Sequence, residues 1–130
     1  MRLINNFQVF RAQELARKGD FVKAKKIVRN LVSRYPQSVG FHLLLADIEM
    51  FSGDLVEALK QYKTAKKCVE LEPKLSKRNR RFLSAYANFR TIAVESHRTG
   101  KDWSEWREVA KAVEELDADK RFKRVFKLPT

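Results

Sequence analysis

Apolar residues recur every three to four positions along most of the chain. Leu3, Phe7, Phe10, Ala12, Leu15 and Ala16 carry that spacing first and predict an amphipathic helix from about Leu3 to Lys18. Gly19 suits the left-handed residue that follows a helix, and Asp20 suits the cap of the next one. Phe21, Ala24, Ile27, Val28 and Leu31 then form one face of a second helix closed by Pro36. A third helix, about Ser38 to Ser52, places Phe41, Leu44, Leu45, Ile48 and Phe51 at helical spacing and ends at Gly53-Asp54. Helix four, about Leu55 to Glu70, turns Leu59, Tyr62, Ala65 and Val69 inward and stops at Pro73. Asp54-Leu-Val-Glu57 reads as an acidic capping box, with Glu57 reaching back to the cap N–H.

The two Gly-Asp pairs are 34 residues apart (53 − 19 = 34), and Val22/Val56 and Ala24/Ala58 keep the same separation. Repetition at such a period marks stacked helical hairpins. Beyond Pro73 the register drifts. A longer helix, about Leu75 to Arg98, carries two stripes, Phe82, Tyr86, Phe89, Ala93 and Leu83, Ala87, Val94, wide enough to touch more than one neighbour. Gly100 is the next stop, 47 residues after Gly53 and so 13 beyond the period. Asp102-Trp-Ser-Glu105 restarts a helix whose Trp103 and Trp106 read as core, and KRFKRVFKLPT reads as a lid over the end of the stack. The expected fold is all-α: one domain over 1–130, an α-α superhelix of about three antiparallel hairpins (about 3–35, 38–72 and 75–117) plus a short C-terminal capping helix at about 119–127.

Composition narrows the class of work. Lys+Arg 28 against Asp+Glu 16 gives a net charge of +12, which favours acidic protein partners, nucleic acid or anionic surfaces. No apolar run approaches the ~18 residues of a membrane span, and the N-terminal stretch lacks the pattern of a secretory signal. The lone Cys68 forms no internal disulfide, which fits a reducing compartment, and a cytoplasmic protein is expected. His42 and His97 lack companions at metal-ligand spacing. No phosphate-cradling glycine loop or nucleophile elbow is present. Neither catalytic residues nor a cofactor or metal is expected.

Ala12, Gly19, Asp20, Ala24 and Pro36, followed by Ala46, Gly53, Asp54, Ala58, Tyr62, Ala65 and Pro73, resemble the tetratricopeptide repeat (TPR) family over roughly Phe7 to Pro73. The pattern departs where Gln8 and His42 replace a large aromatic residue, where Glu49 replaces an apolar one, and where Leu31 replaces a small one. The resemblance implies a right-handed superhelix whose first helices line a concave groove that binds a peptide or protein segment. Its register assigns to that groove Asn6, Val9 and Gln13, then Gly40, Leu43, Leu44, Asp47 and Met50, then Lys77, Arg80, Arg81 and Ser84. Such a groove would be apolar at one end and basic at the other and would suit an apolar anchor with an acidic end. Lys77 and Arg81 resemble two cations of the family's carboxylate clamp, while Val9, Gln13 and Leu44 stand where its other members belong.

In the resemblance's register the repeat also aligns Lys26 with Lys60 and Arg29 with Lys63, a ridge on the convex back that Lys66, Lys67 and Arg78 extend. This gives the alternative function, nucleic-acid or anionic-surface binding through the ridge and the C-terminal helix. A small secretion-type TPR chaperone is the second alternative. Homodimerisation would cover the edges of so short an array.

Overall fold

A computed structural model describes residues 2–99, with side-chain surroundings for residues 5–95. Five helices follow one another: α1 (Arg2–Arg17), α2 (Phe21–Arg34), α3 (Val39–Phe51), α4 (Leu55–Leu71) and α5 (Lys77–Thr99). Each helix packs on the next, and α5 also reaches back to α3. The described chain is an all-α stack of adjacent helix pairs. The second helix of the third hairpin, the 119–127 helix, and the expectations for Gly100, Trp103 and Trp106 lie outside the described residues, as does the side chain of His97.

The Gly-Asp turns are built identically. Gly19 and Gly53 adopt φ +87° and +89°, a conformation that side-chain-bearing residues resist. Gly19 N–H donates to Ala16 O at 3.0 Å and Asp20 N–H to Leu15 O at 2.8 Å; Gly53 N–H donates to Met50 O at 3.1 Å and Asp54 N–H to Glu49 O at 2.9 Å. This paired closure ends the first helix of each hairpin. The aspartate side chains then cap the next helix, Asp20 accepting from Lys23 N–H at 3.3 Å and Asp54 from Glu57 N–H at 3.4 Å.

That geometry corrects the capping-box expectation. The Asp54 N–H that Glu57 would have reached is already bonded to Glu49 O, and Glu57 instead pairs with Lys60 at 3.6 Å. The start of α5 is also later than periodicity suggests. Ser76 accepts from Asn79 N–H at 3.1 Å through its hydroxyl and from Arg80 N–H at 2.9 Å through its carbonyl, so Leu75 lies before the helix.

Small residues let the helices approach closely. Ala12, Ala24, Ala46 and Ala58, two pairs at the repeat separation, are fully buried. Ala12, Ala24 and Val28 pack with Leu45 and Ile48 in one cluster, while Leu43, Ala46, Ala58 and Tyr62 join Ala85, Tyr86, Ala87 and Val94 in another. Helix α3 faces both clusters, which explains why VGFHLLLADIEMF is apolar nearly all round.

Candidate functional site

Residues at equivalent places in the two repeats form an open cleft of about 510 Å³ between α1 and α3. Helix α1 contributes Gln13, Ala16 and Arg17; α3 contributes Leu44, Asp47, Ile48 and Phe51; Phe21 closes the base. Gln13 is matched by Asp47 and Arg17 by Phe51, each pair 34 residues apart. The floor is apolar. Phe51 at the rim is 66% exposed, as is much of Phe10 (62%), which lies about two turns before Arg17 on the same side of α1. Arg17 itself is held by Glu14 at 2.6 Å.

Asp47 lines this cleft, but its oxygens are engaged from the other side. Oδ1 accepts a short hydrogen bond from the Tyr62 hydroxyl, and Oδ2 accepts from the Tyr86 hydroxyl at 2.7 Å. Arg90 Nε lies 3.8 Å from Oδ1, and the guanidinium sits 5.6 Å from the Tyr86 ring centroid. Burial pushes the Asp47 carboxyl above its ordinary value, opposed by Arg90 and by the hydroxyls of Tyr62 and Tyr86. Burial likewise pushes both phenols up, and the Asp47 charge adds to the rise. Met50 belongs to the same knot, with Sδ 3.8 Å from Arg90 Nη1 and 4.0 Å from the Tyr62 hydroxyl. Asp47 therefore joins α3, α4 and α5.

The remaining groove assignments separate. Gln13, Leu44 and Asp47 meet in the α1/α3 cleft, whereas Leu43 is 8% exposed and belongs to the core. Asn6 is exposed and Val9 half-buried, and neither lines the cleft. Lys77, Arg80, Arg81 and Ser84 line a second open cleft of about 620 Å³ together with Arg78. Tyr86 follows Lys77 by nine positions (86 − 77 = 9), about two and a half helical turns, so Lys77 lies on the side of α5 away from the Asp47 contact. Among the described residues the apolar and the basic assignments line two different clefts.

Arg80 has a structural role that its sequence position does not announce. Its Nη1 donates to Val69 O at 2.6 Å and its Nη2 to Glu72 O at 2.7 Å, closing the C-terminal end of α4. Those carbonyls have no partner within their helix, and a guanidinium there complements the negative end of the helix dipole.

The cations expected to form a basic ridge are partly neutralised. Arg29 pairs with Glu49 at 3.2 Å, Lys60 with Glu57, and Lys63 with Glu95 at 3.9 Å. Lys26 and Lys67 are exposed. Glu49, 1% exposed, also meets Lys25 Nζ at 3.5 Å, so the polar residue at an otherwise apolar place ties α3 to α2. His42 is buried between Gln61 Oε1 at 2.9 Å and Pro36 O at 2.7 Å. Cys68 is buried near the same carbonyl, and burial pushes its thiol up. Among the described residues no group of acidic, histidine and cysteine side chains is arranged to hold a metal ion, and no helix is long and apolar enough to cross a membrane.

No protein-family model matches the chain, and none of the curated sequences or solved structures compared with it matches either.

Proposed function

We propose that this protein is a non-catalytic, tetratricopeptide-like interaction module that docks an apolar side chain of a peptide or protein segment in the cleft between α1 and α3. The observation that carries this reading is the combination of an apolar floor, formed by Ala16, Phe21, Leu44 and Ile48, with a Phe51 rim that is 66% exposed. A fold that buries Tyr62, Leu31 and Val69 completely leaves a phenylalanine in water beside a concavity. Aromatic anchors beside pockets are where interfaces concentrate their binding energy. The matched turns at Gly19 and Gly53 and the buried alanines at the repeat separation support the tetratricopeptide-like reading of the hairpins.

The engaged state of Asp47 shapes the ligand. Both carboxylate oxygens have partners within the protein, so the cleft selects by apolar shape more than by charge. Affinity capture from native lysate, with nuclease present, tests the reading when wild type is compared with Phe51→Ser. A protein partner retained by wild type and lost by this exposed-site variant supports it. Equal capture by both proteins counts against it.

A further inference from the structure

The described cations fall into two populations. On α1, α2 and most of α4 many are compensated: Arg17 by Glu14, Lys23 by Asp20, Lys25 and Arg29 by Glu49, Lys60 by Glu57, and Lys63 by Glu95. Where α4 hands over to α5 this stops. Residues 66–81 contain seven cations and two carboxylates, Glu70 and Glu72. Not one of these seven cations is in a described ion pair.

The local sequence runs against helix electrostatics. Helix N-termini favour acidic side chains, yet α5 has none in its first turn and begins with Lys77 and Arg78. Arg80 is occupied by the α4 carbonyls, which leaves Lys77, Arg78 and Arg81, all exposed, around the cleft of about 620 Å³. Lys77 and Arg81 are one turn apart on one side of α5, a rise of roughly 6 Å.

The lining also says what kind of polyanion fits. Among the described residues the lining is Lys77, Arg78, Arg80, Arg81 and Ser84, cationic side chains whose aliphatic stems supply its apolar surface, with no aromatic or aliphatic residue among them. Phe82 and Phe89 are half-buried against the core and Tyr86 is buried, so these aromatics of α5 provide no open platform for unstacked bases. Exposed guanidinium and ammonium groups without stacking partners match the phosphate backbone of a duplex, which is bound through charge and counterion release. We infer that the α4–α5 junction is a second binding surface, one that engages the phosphate backbone of double-stranded nucleic acid through Lys77, Arg78 and Arg81.

The test uses the full chain and a fluorescein-labelled DNA duplex of about 20 base pairs, followed by anisotropy over a series of salt concentrations. A triple variant, Lys77→Gln, Arg78→Gln and Arg81→Gln, is compared with a control of equal charge loss, Lys23→Gln, Lys26→Gln and Lys60→Gln. Arg80 is left intact because it closes α4, and far-UV circular dichroism checks that all three proteins are folded. The junction variant is expected to bind at least about tenfold more weakly at low salt and to lose roughly two to three from the slope of log K against log salt, while the control keeps most of both. Equal losses in the two variants would reduce the effect to net charge and overturn the site. Absence of duplex binding by wild type would overturn it as well, as would tighter binding of a polyglutamate peptide than of the duplex with the same dependence on the three residues.

Discussion

Tyr86 on α5 donates its hydroxyl hydrogen to Asp47 on α3 across 2.7 Å, joining positions 39 residues apart. The same carboxylate receives Tyr62 from α4 and faces Arg90. One partly exposed side chain thereby fixes the relative positions of three helices and one wall of the apolar cleft.

The raised Asp47 proton affinity sets a pH signature. The folded state holds this proton to higher pH than the unfolded chain, whose ordinary value is 3.8. The contribution of this group therefore favours the fold at acid pH and is lost as pH rises from that ordinary value through the raised one. Asp47→Asn removes the titration. Urea denaturation at about pH 4 and about pH 7 should show wild type gaining less, or losing more, relative to the variant at the higher pH. A difference that moves the opposite way contradicts the burial-dominated account.

Arg80→Ala should destabilise the chain by about 1–3 kcal/mol, because charged hydrogen bonds to the Val69 and Glu72 carbonyls disappear. Arg80→Lys should recover only part of that loss, since an ammonium lacks the planar fork that reaches both oxygens. Full recovery by lysine, measured by urea midpoint, would reduce the role of Arg80 to its charge.

Glu49 predicts a non-additive pair. Lys25→Met leaves a carboxylate that is 1% exposed with only Arg29 beside it, and should cost about 1–3 kcal/mol. Adding Glu49→Leu removes the buried charge and should restore most of the loss. A double-mutant cycle read by thermal or urea denaturation checks the sign of the coupling.

The matched turns predict matched costs. Gly19→Ala and Gly53→Ala meet no steric neighbour, so each should lose about 1–2 kcal/mol from the left-handed backbone alone. Because the turns lie in separate hairpins, the double variant should lose the sum.

Helix limits, the repeated turns and the buried alanines were legible because each depends on residues close in sequence. Gly53, Asp54 and Ala58 announce their roles within a few positions. The roles of Asp47, Glu49 and Arg80 were not, since each is defined by a partner 8 to 39 residues away. A trace of them was present. In α3, apolar nearly all round, a carboxylate on the packed side must find an internal partner, as Glu49, 1% exposed, does with Lys25 and Arg29. A repeat register does not specify that α5 brings Tyr86 and Arg90 onto Asp47, which is set by contacts far apart in sequence.

The cleft between α1 and α3 is tested most directly by selecting displayed peptides on the full chain and mapping the strongest binder by amide chemical-shift changes in the ¹⁵N-labelled protein. Peptides with an apolar anchor are expected, with shifts concentrated at Gln13, Ala16, Leu44, Ile48 and Phe51 and loss of binding in Phe51→Ser. Binders whose shifts fall on the exposed faces of α2 and α4 and whose affinity survives Phe51→Ser would contradict an α1/α3 docking site.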